Sequence, residues 1–383
     1  VIKASRNTSS VSDTSASATS AAPHGLARYG WDEGWAAEFA PYAGQGSQPG
    51  RVVRVGRGLC DVVTSAGPVR ADTDTGLTAP GDPTRAVCTG DWVAVEPAAG
   101  AWCLRALLPR RTEILRSASS KRSDGQVLAA NVDHVVVAVS LAVELDLSRI
   151  ERFLSLAWES GGRPLVVLTK ADLVPDPATL AHLVTDTESA APGVPVLTVS
   201  AATGDGVDML TAAVRGGTSA LLGQSGAGKS TLANVLLGAE IQEVRAARDS
   251  DGKGRHTTTT RDLLPLPLPG GGALIDTPGL RGVGLWDAKG GVAQVFAEIE
   301  ELARDCRFHD CAHTAEPGCA VLAATADGTL PERRLDSYRK LLRENERLLA
   351  RTDARLRAEL GRRGRQQQAL GRHMMERKRG PQR

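Results

Sequence analysis

The run Gly223-Gln224-Ser225-Gly226-Ala227-Gly228-Lys229-Ser230-Thr231 has the spacing of a phosphate-binding loop, with an apolar strand-like stretch before it and a helix-like stretch after it. Glycines let successive backbone N–H groups turn into one cavity, and a helix that starts at the end of the loop adds the positive end of its dipole. In such a loop Lys229 reaches the β- and γ-phosphates of a nucleotide, and Ser230 is placed to ligate Mg²⁺. Asp276-Thr277-Pro278-Gly279 closes the apolar run 273–275. There Asp276 is suited to hold Mg²⁺ through water, and the Gly279 N–H to sense a γ-phosphate.

Thr169-Lys170-Ala171-Asp172 offers a carboxylate at the end of another apolar run. Such a carboxylate accepts hydrogen bonds from guanine N1 and N2, which adenine does not match, while the Lys170 stem lies along the base. Alone, the tetrapeptide reads equally as a helix cap. Beside a phosphate loop, and with Ser200-Ala201 at a further strand end to close the other side of the base, it selects guanine. This guanine element precedes the phosphate loop, the reverse of the usual order, so the sequence is that of a circularly permuted GTPase. Its ends leave from unusual places and carry nucleotide-dependent motion to whatever is fused there.

Between the loop and Asp276 lies Gly254-Arg255-His256-Thr257-Thr258-Thr259-Thr260-Arg261. A hydroxyl of Thr257, Thr258 or Thr259 can complete the Mg²⁺ shell while γ-phosphate is present, which makes this segment a switch. Leu280 stands where many GTPases carry a water-orienting Gln, and a Leu side chain cannot polarise water. His256 can take that role near neutral pH, or it can pack on the body or touch RNA; the residues alone leave both readings open.

Cys306-x4-Cys311-x-His313-x5-Cys319 supplies three thiolates and an imidazole, the ligand set of a closed tetrahedral Zn²⁺ site with a structural role. His309 rivals His313 but has the poorer spacing. Cys60, Cys88 and Cys103 are scattered, as buried thiols are, and no disulfide framework is indicated.

A multidomain α/β chain is expected to position these groups, since 383 residues exclude a single small module. Residues 1–45, rich in Ser, Ala and Gly, are expected to form a disordered extension, with Trp31, Trp35, Phe39 and Tyr42 read as spaced aromatics rather than as a docking segment. Over 46–115, β-branched runs at 51–55, 60–64, 92–96 and 102–108 alternate with turn signals, giving four or five strands of a small OB-type barrel. The segment 120–284 alternates strand-like runs with helical stretches, the pattern of a mainly parallel sheet covered on both faces. A helical zinc-binding region is placed at 285–360, with Leu335, Tyr338, Leu341, Leu342, Leu348 and Leu349 marking one amphipathic face, and a basic tail at 361–383.

From residue 331 onward there are 17 Arg and Lys against 7 Asp and Glu, so the remainder of a chain of net charge +2 is negative by eight. That asymmetry suits a polyanion such as nucleic acid. No stretch approaches the ~18 apolar residues of a membrane span, and the first 22 residues lack a signal-peptide core. A soluble cytoplasmic protein is expected.

These motifs in this order resemble the ribosome small-subunit-dependent GTPase family (RsgA, also called YjeQ). The resemblance covers roughly residues 50–350. It also takes in Gly90-Asp91-Trp92-Val93, the run from Gln126 to Asp133, and Gly254-Arg255-His256-Thr257-Thr258-Thr259. Membership implies an OB barrel, a permuted GTPase and a C-terminal zinc domain. It implies action late in maturation of the small (30S) subunit, contact with its 16S rRNA, and GTP hydrolysis to GDP stimulated by that subunit and coupled to release. It also implies a catalytic role for His256. A monomer without membrane contact is expected. The alternatives are an RNA-binding scaffold whose affinity is gated by nucleotide, and a permuted GTPase of large-subunit assembly.

Overall fold

The computed structural model describes residues 25–73, 86–98, 100–117, 125–240, 261–276 and 288–352, with short helical pieces between 355 and 369. Five strands, β1 (Gln48–Val55), β2 (Leu59–Thr64), β3 (Gly67–Asp72), β4 (Trp92–Ala98) and β5 (Ala101–Leu107), close into a barrel in the order β1-β2-β3-β5-β4, with β4 pairing back onto β1. The β3–β5 contact is parallel and the others antiparallel, the OB arrangement. Val52, Cys60, Val62, Val93, Val95 and Leu104 fill the interior. Strand β3 escaped the sequence reading because Val69 is its one β-branched residue.

The expected disordered extension over 1–45 is corrected for residues 25–45. A 3-10 turn at Ala27–Tyr29, helix α1 (Glu33–Phe39) and a second 3-10 turn at Ala40–Tyr42 form an arm folded against the barrel. Asp32 caps α1 by accepting from Trp35 N at 2.8 Å. Trp31 and Trp35 pack on barrel Trp92 with ring centroids 4.9 and 5.8 Å apart, and Leu26, Tyr29 and Phe39 are buried as well. Burying a large apolar side chain is worth about 1.5–3 kcal/mol. Composition alone missed this because five large apolar residues outweigh their polar neighbours once one surface accepts them all.

A two-stranded ribbon, β6 (Glu113–Ser117) and β7 (Gly125–Ala130), leads into the second sheet. There β8 (His134–Ser140), β9 (Arg163–Thr169), β10 (Val196–Val199), β11 (Thr218–Leu222), β12 (Asp262–Pro265) and β13 (Ala273–Asp276) lie in the order β10-β9-β8-β11-β13-β12. All but β12 run parallel. The near-continuous apolar runs are explained by cover from α2 (Leu147–Glu159), α3 (Pro177–Ala190), α4 (Val207–Val214) and α5 (Lys229–Leu237). The chain builds outward from β8 through β9 to β10, then returns to β11 on the other flank of β8. That reversal opens a crevice at the carboxyl ends of β8 and β11, where such sheets bind ligands. Strand β12 also touches β1, where Arg54 faces Asp262 in an ion pair, so barrel and sheet are continuous.

Helices α6 (Lys289–Val295), α7 (Ala297–Ala303), α8 (Ala320–Ala326) and α9 (Glu332–Thr352) form the C-terminal region. The amphipathic face expected on α9 is the buried one, through Leu335, Tyr338, Leu341 and Leu348. Helix α6 lies so close to α2 that a Cβ on Gly291 would stand 1.9 Å from Ser155 O. At this seam Glu151, fully buried, takes Nη1 of Arg334 and Nη1 of Arg333, each at 2.8 Å, and the hydroxyl of Ser337. Among the described residues no helix is long and apolar enough to cross a membrane.

Candidate nucleotide site and metal centre

Strand β11 is buried along its whole length and hands the chain to the loop at Gly223. A Cβ there would meet Ala138 O of β8 at 2.4 Å, and φ is +139°, so only glycine fits. Gly226 and Gly228 also take positive φ, which turns the loop back on itself. Helix α5 starts at Lys229 with Gly228 as N-cap and no side chain capping its first turn, so its amino end is free to meet phosphate. Lys229 Nζ donates to Gly223 O at 2.7 Å and Gln224 O at 2.6 Å, holding an ammonium across the loop. Gln224, Ser225, Ser230 and Thr231 are exposed on this face, whereas Ala227 is buried beneath it.

Strand β9 delivers the guanine element to the same edge. Thr169 Oγ1 lies 3.0 Å from Ala227 O and 3.3 Å from Val139 O, tying the end of β9 to the loop and to β8. Lys170 adopts left-handed backbone, φ 60°, and its Nζ donates to Gly226 O at 3.0 Å. The 3-10 turn Ala171–Leu173 then presents Asp172, whose Oδ1 accepts from Ser200 Oγ at 2.6 Å. Ser200, buried after β10, is fixed in turn by its N–H to Asp205 O at 2.9 Å and by Thr203 N–H to its Oγ at 3.2 Å. Ala201 is half-buried beside it. Asp172 and Ser200-Ala201, 28 residues apart, thus form one wall. Asp276 ends β13 two strands from β8, at the same carboxyl edge. Within the guanine element, Thr169 thus uses its hydroxyl to fasten the phosphate loop. His256, Thr257, Thr258, Thr259 and Gly279 lie outside the described residues.

In the C-terminal region Cys306, Cys311, His313 and Cys319 bring their ligand atoms within 4.8 Å of one another. Zn–S bonds of about 2.3 Å and a Zn–N bond of about 2.0–2.1 Å at tetrahedral angles require S–S edges of about 3.8 Å and S–N edges of about 3.5 Å. Cys306 Sγ stands 3.7 Å from Cys319 Sγ and 3.6 Å from His313 Nδ1, which is 3.4 Å from Cys319 Sγ. The cluster has the dimensions of a tetrahedral site, and His309 is not part of it. Burial raises the Cys306 thiol, but the N–H groups of Val321 and Ala320 outweigh that and hold it below its ordinary value. Burial and the thiols of Cys319 and Cys306 push Cys311 up to about 11. A cation at the centre would let all three sulfurs ionise, which their crowding otherwise opposes.

The loop that shapes the cluster was not visible in the spacing of its ligands. Glu316 gathers the N–H groups of Ala312, Thr314 and Ala315 at 2.7–3.1 Å, and these hold its carboxyl down to about 2. Arg339 of α9 donates to His313 O, and His313 itself takes left-handed backbone at φ 55°. The following Pro317-Gly318 was the available turn signal.

Comparison with known proteins agrees with this geometry. The family model described as RsgA GTPase matches residues 107–286. The chain is 69% identical over 355 residues to the small ribosomal subunit biogenesis GTPase RsgA of Streptomyces coelicolor, covering 93% of this chain and 96% of that protein. It is 68% identical over 361 residues to the protein of the same name from Streptomyces avermitilis, covering 94% and 96%. Among solved structures, YjeQ from Thermotoga maritima superposes with a TM-score of 0.59 at 26% identity, over 78% of this chain and 98% of that one. YloQ, a circularly permuted GTPase, has a TM-score of 0.57 at 22% identity over 78% and 95%, which bears on the fold alone. With a phosphate loop, a guanine wall and a Cys3His cluster on one permuted scaffold, and relatives matched over nearly its whole length, this chain belongs to the RsgA GTPase family.

Proposed function

We propose that this chain binds the small ribosomal subunit through its 16S rRNA and hydrolyses GTP to GDP and phosphate late in maturation of that subunit. The subunit stimulates hydrolysis, and hydrolysis releases the protein. The observation that carries this reading is the guanine wall fastened onto the phosphate loop, with Lys170 reaching Gly226 O and Asp172 holding Ser200. The 69% identity to the Streptomyces coelicolor small ribosomal subunit biogenesis GTPase supplies the partner.

In this reading the N–H groups of Gly223–Thr231 and Nζ of Lys229 hold the phosphates. Asp172 accepts from guanine N1 and N2, and Ser200-Ala201 closes the far side. Ser230 and Asp276 would hold Mg²⁺, which when bound neutralises charge growing between the β- and γ-phosphates. A hydroxyl of Thr257, Thr258 or Thr259 and the Gly279 N–H read the γ-phosphate, and His256 orients the attacking water that Leu280 cannot. Cys306, Cys311, His313 and Cys319 would hold Zn²⁺; with all four positions taken by the protein, it supplies rigidity rather than chemistry.

The functional units are an OB-type barrel over 46–115, the permuted GTPase over 120–284, a helical zinc-binding region over 285–360 and a basic tail over 361–383, in a cytoplasmic monomer. Strand β13, which ends at Asp276, leads along the chain toward the C-terminal helices, and the barrel joins the opposite end near Asn131. Loss of γ-phosphate can therefore change how two RNA-facing parts sit on the subunit.

The test is GTP turnover with purified small subunits, large subunits or neither. Stimulation by small subunits alone is expected, and His256→Ala should then lower the stimulated rate by about 10²–10⁴-fold while leaving GTP affinity unchanged. Stimulation by large subunits, or by neither, would overturn the assignment.

A further inference from the structure

On the side of the parallel sheet opposite the phosphate loop, a cavity of about 550 Å³ opens between the arm, the barrel and the amino ends of β8, β9 and β11. Its volume is that of a small-molecule site. Trp31 and Trp35 of the arm line one side, and His134 and Arg163 mark the starts of β8 and β9. Gly216 and Gly217, just before β11, keep another side open: a Cβ on Gly217 would come within 2.8 Å of the His134 ring.

The walls carry more positive than negative charge. Arg51, Arg111, Arg163 and Arg215 line the cavity together with two carboxylates, Asp32 and Asp133. Arg111 is paired with Asp32 at 2.6 Å and stacks on Trp35, its Cζ 3.9 Å from the ring centroid. Asp133 accepts the N–H of Thr218 at 2.7 Å. Arg163 and Arg215 are exposed, and neither has an ion-pair partner among the described residues.

Arg51 is 1% exposed, yet Nη2 donates to neutral groups, Asn131 O at 3.0 Å and Thr218 Oγ1 at 3.2 Å. Its Cζ lies over the Trp92 ring at 4.6 Å, and Nε has no partner. Burial lowers it to about 10, so it remains a cation at neutral pH. Asp133 and Asp91 act on it only at a distance, so a buried guanidinium hydrogen-bonded to neutral groups keeps part of its desolvation cost, which an anion in contact would offset. Burial also lowers His134, against Asp133 and with Arg163, so this ring is neutral near pH 7 and adds no charge.

We propose that this cavity binds a small phosphate monoester of about sugar-phosphate size. Arg163 and Arg215 contact the phosphate directly, and Arg51 contributes charge from within the wall. Arginine forks suit phosphate oxygens. Walls drawn from three parts of the chain make a recess rather than a groove that tracks a nucleic-acid backbone. The site is distinct from the phosphate loop, which lies at the carboxyl ends of the same strands.

The experiment is calorimetric titration of the full-length protein with ribose 5-phosphate, the phosphate loop being first saturated with a non-hydrolysable GTP analogue and Mg²⁺. Saturable binding is expected, weakened about 10-fold or more by either Arg163→Ala or Arg215→Ala. Both side chains are exposed, so analogue affinity and the unfolding midpoint should be unchanged. Absence of binding up to about 10 mM, or equal binding by wild type and both variants, would overturn the proposal. A single-stranded RNA oligonucleotide that binds and is lost in the same variants while ribose 5-phosphate does not bind would overturn it in favour of RNA.

Discussion

Arg334→Met tests whether the C-terminal region is held to the GTPase domain by its buried ion pair. Arg334 is 3% exposed and Glu151 is fully buried. The substitution removes the 2.8 Å contact to Glu151 Oε1, a 2.8 Å bond to Val295 O, a 2.8 Å contact to Glu298 Oε1 and the stacking over Phe296 at 4.3 Å. Removing one partner of a buried pair costs about 3–5 kcal/mol when the other is left uncompensated. Here Glu151 keeps Arg333 Nη1 at 2.8 Å and Ser337 Oγ, and the Met side chain refills part of the volume. The expected cost is therefore about 2–3 kcal/mol. Glu151→Gln should cost less, about 1–2 kcal/mol, because Arg334 keeps Glu298 Oε1 and Val295 O. The double variant should cost less than the sum by about 1 kcal/mol or more, because no lone buried charge remains; Glu298 and Arg333, left single, are reached by water. The assay is urea unfolding followed by circular dichroism, since fluorescence would sum six tryptophans, with limited proteolysis between α7 and α9 as a second readout. GTP-analogue affinity should hold, since the pair lies away from the phosphate loop. A cost below about 0.5 kcal/mol for Arg334→Met, or strict additivity in the double variant, would refute the reasoning.

Gly223→Ala should weaken GTP-analogue binding at least about 10-fold, because its Cβ would press on Ala138 O at 2.4 Å; fluorescent-nucleotide titration reads this, and unchanged affinity would contradict the loop geometry. Metal analysis should find one tightly held zinc per chain, lost in Cys319→Ser, with chelation lowering the thermal midpoint of wild type and leaving that of the variant unmoved. The hydrogen bond from Arg111 holds the Asp32 carboxyl below its ordinary value, against burial and with help from Trp35 N–H and the Arg111 charge. A depressed folded value means that this support for the arm is complete above the unfolded pKa of about 3.9 and fades as pH falls through the lower folded one. The stability gap between wild type and Asp32→Ala in urea unfolding, about 1–2 kcal/mol at neutral pH, should thus close as pH falls through the folded value.

The nucleotide loop, the guanine element and the metal cluster were legible because their chemistry is written in local spacing. Six of the nine phosphate-loop positions are Gly, Ser or Thr at fixed offsets, and three thiols with a histidine within fourteen residues leave few other readings. The permutation was legible for the same reason, since it is a statement about order. The barrel's third strand and the ribbon β6–β7 were not, because short strands with few β-branched residues give little period to read.

Residue types and their order along the chain specify which groups can ligate phosphate, guanine or metal. What each group faces follows from how the elements pack. Asp172 meets Ser200 because β9 and β10 are neighbours, and Thr169 secures the loop because β9 and β11 flank β8. Glu151 and Arg334 lie 183 residues apart and become a buried pair when α2 and α9 pack, while five apolar side chains in a Ser- and Gly-rich leader become an arm on Trp92. Periodicity shows that a face will be buried, but burial energy depends on the partner surface, which forms only when distant segments meet.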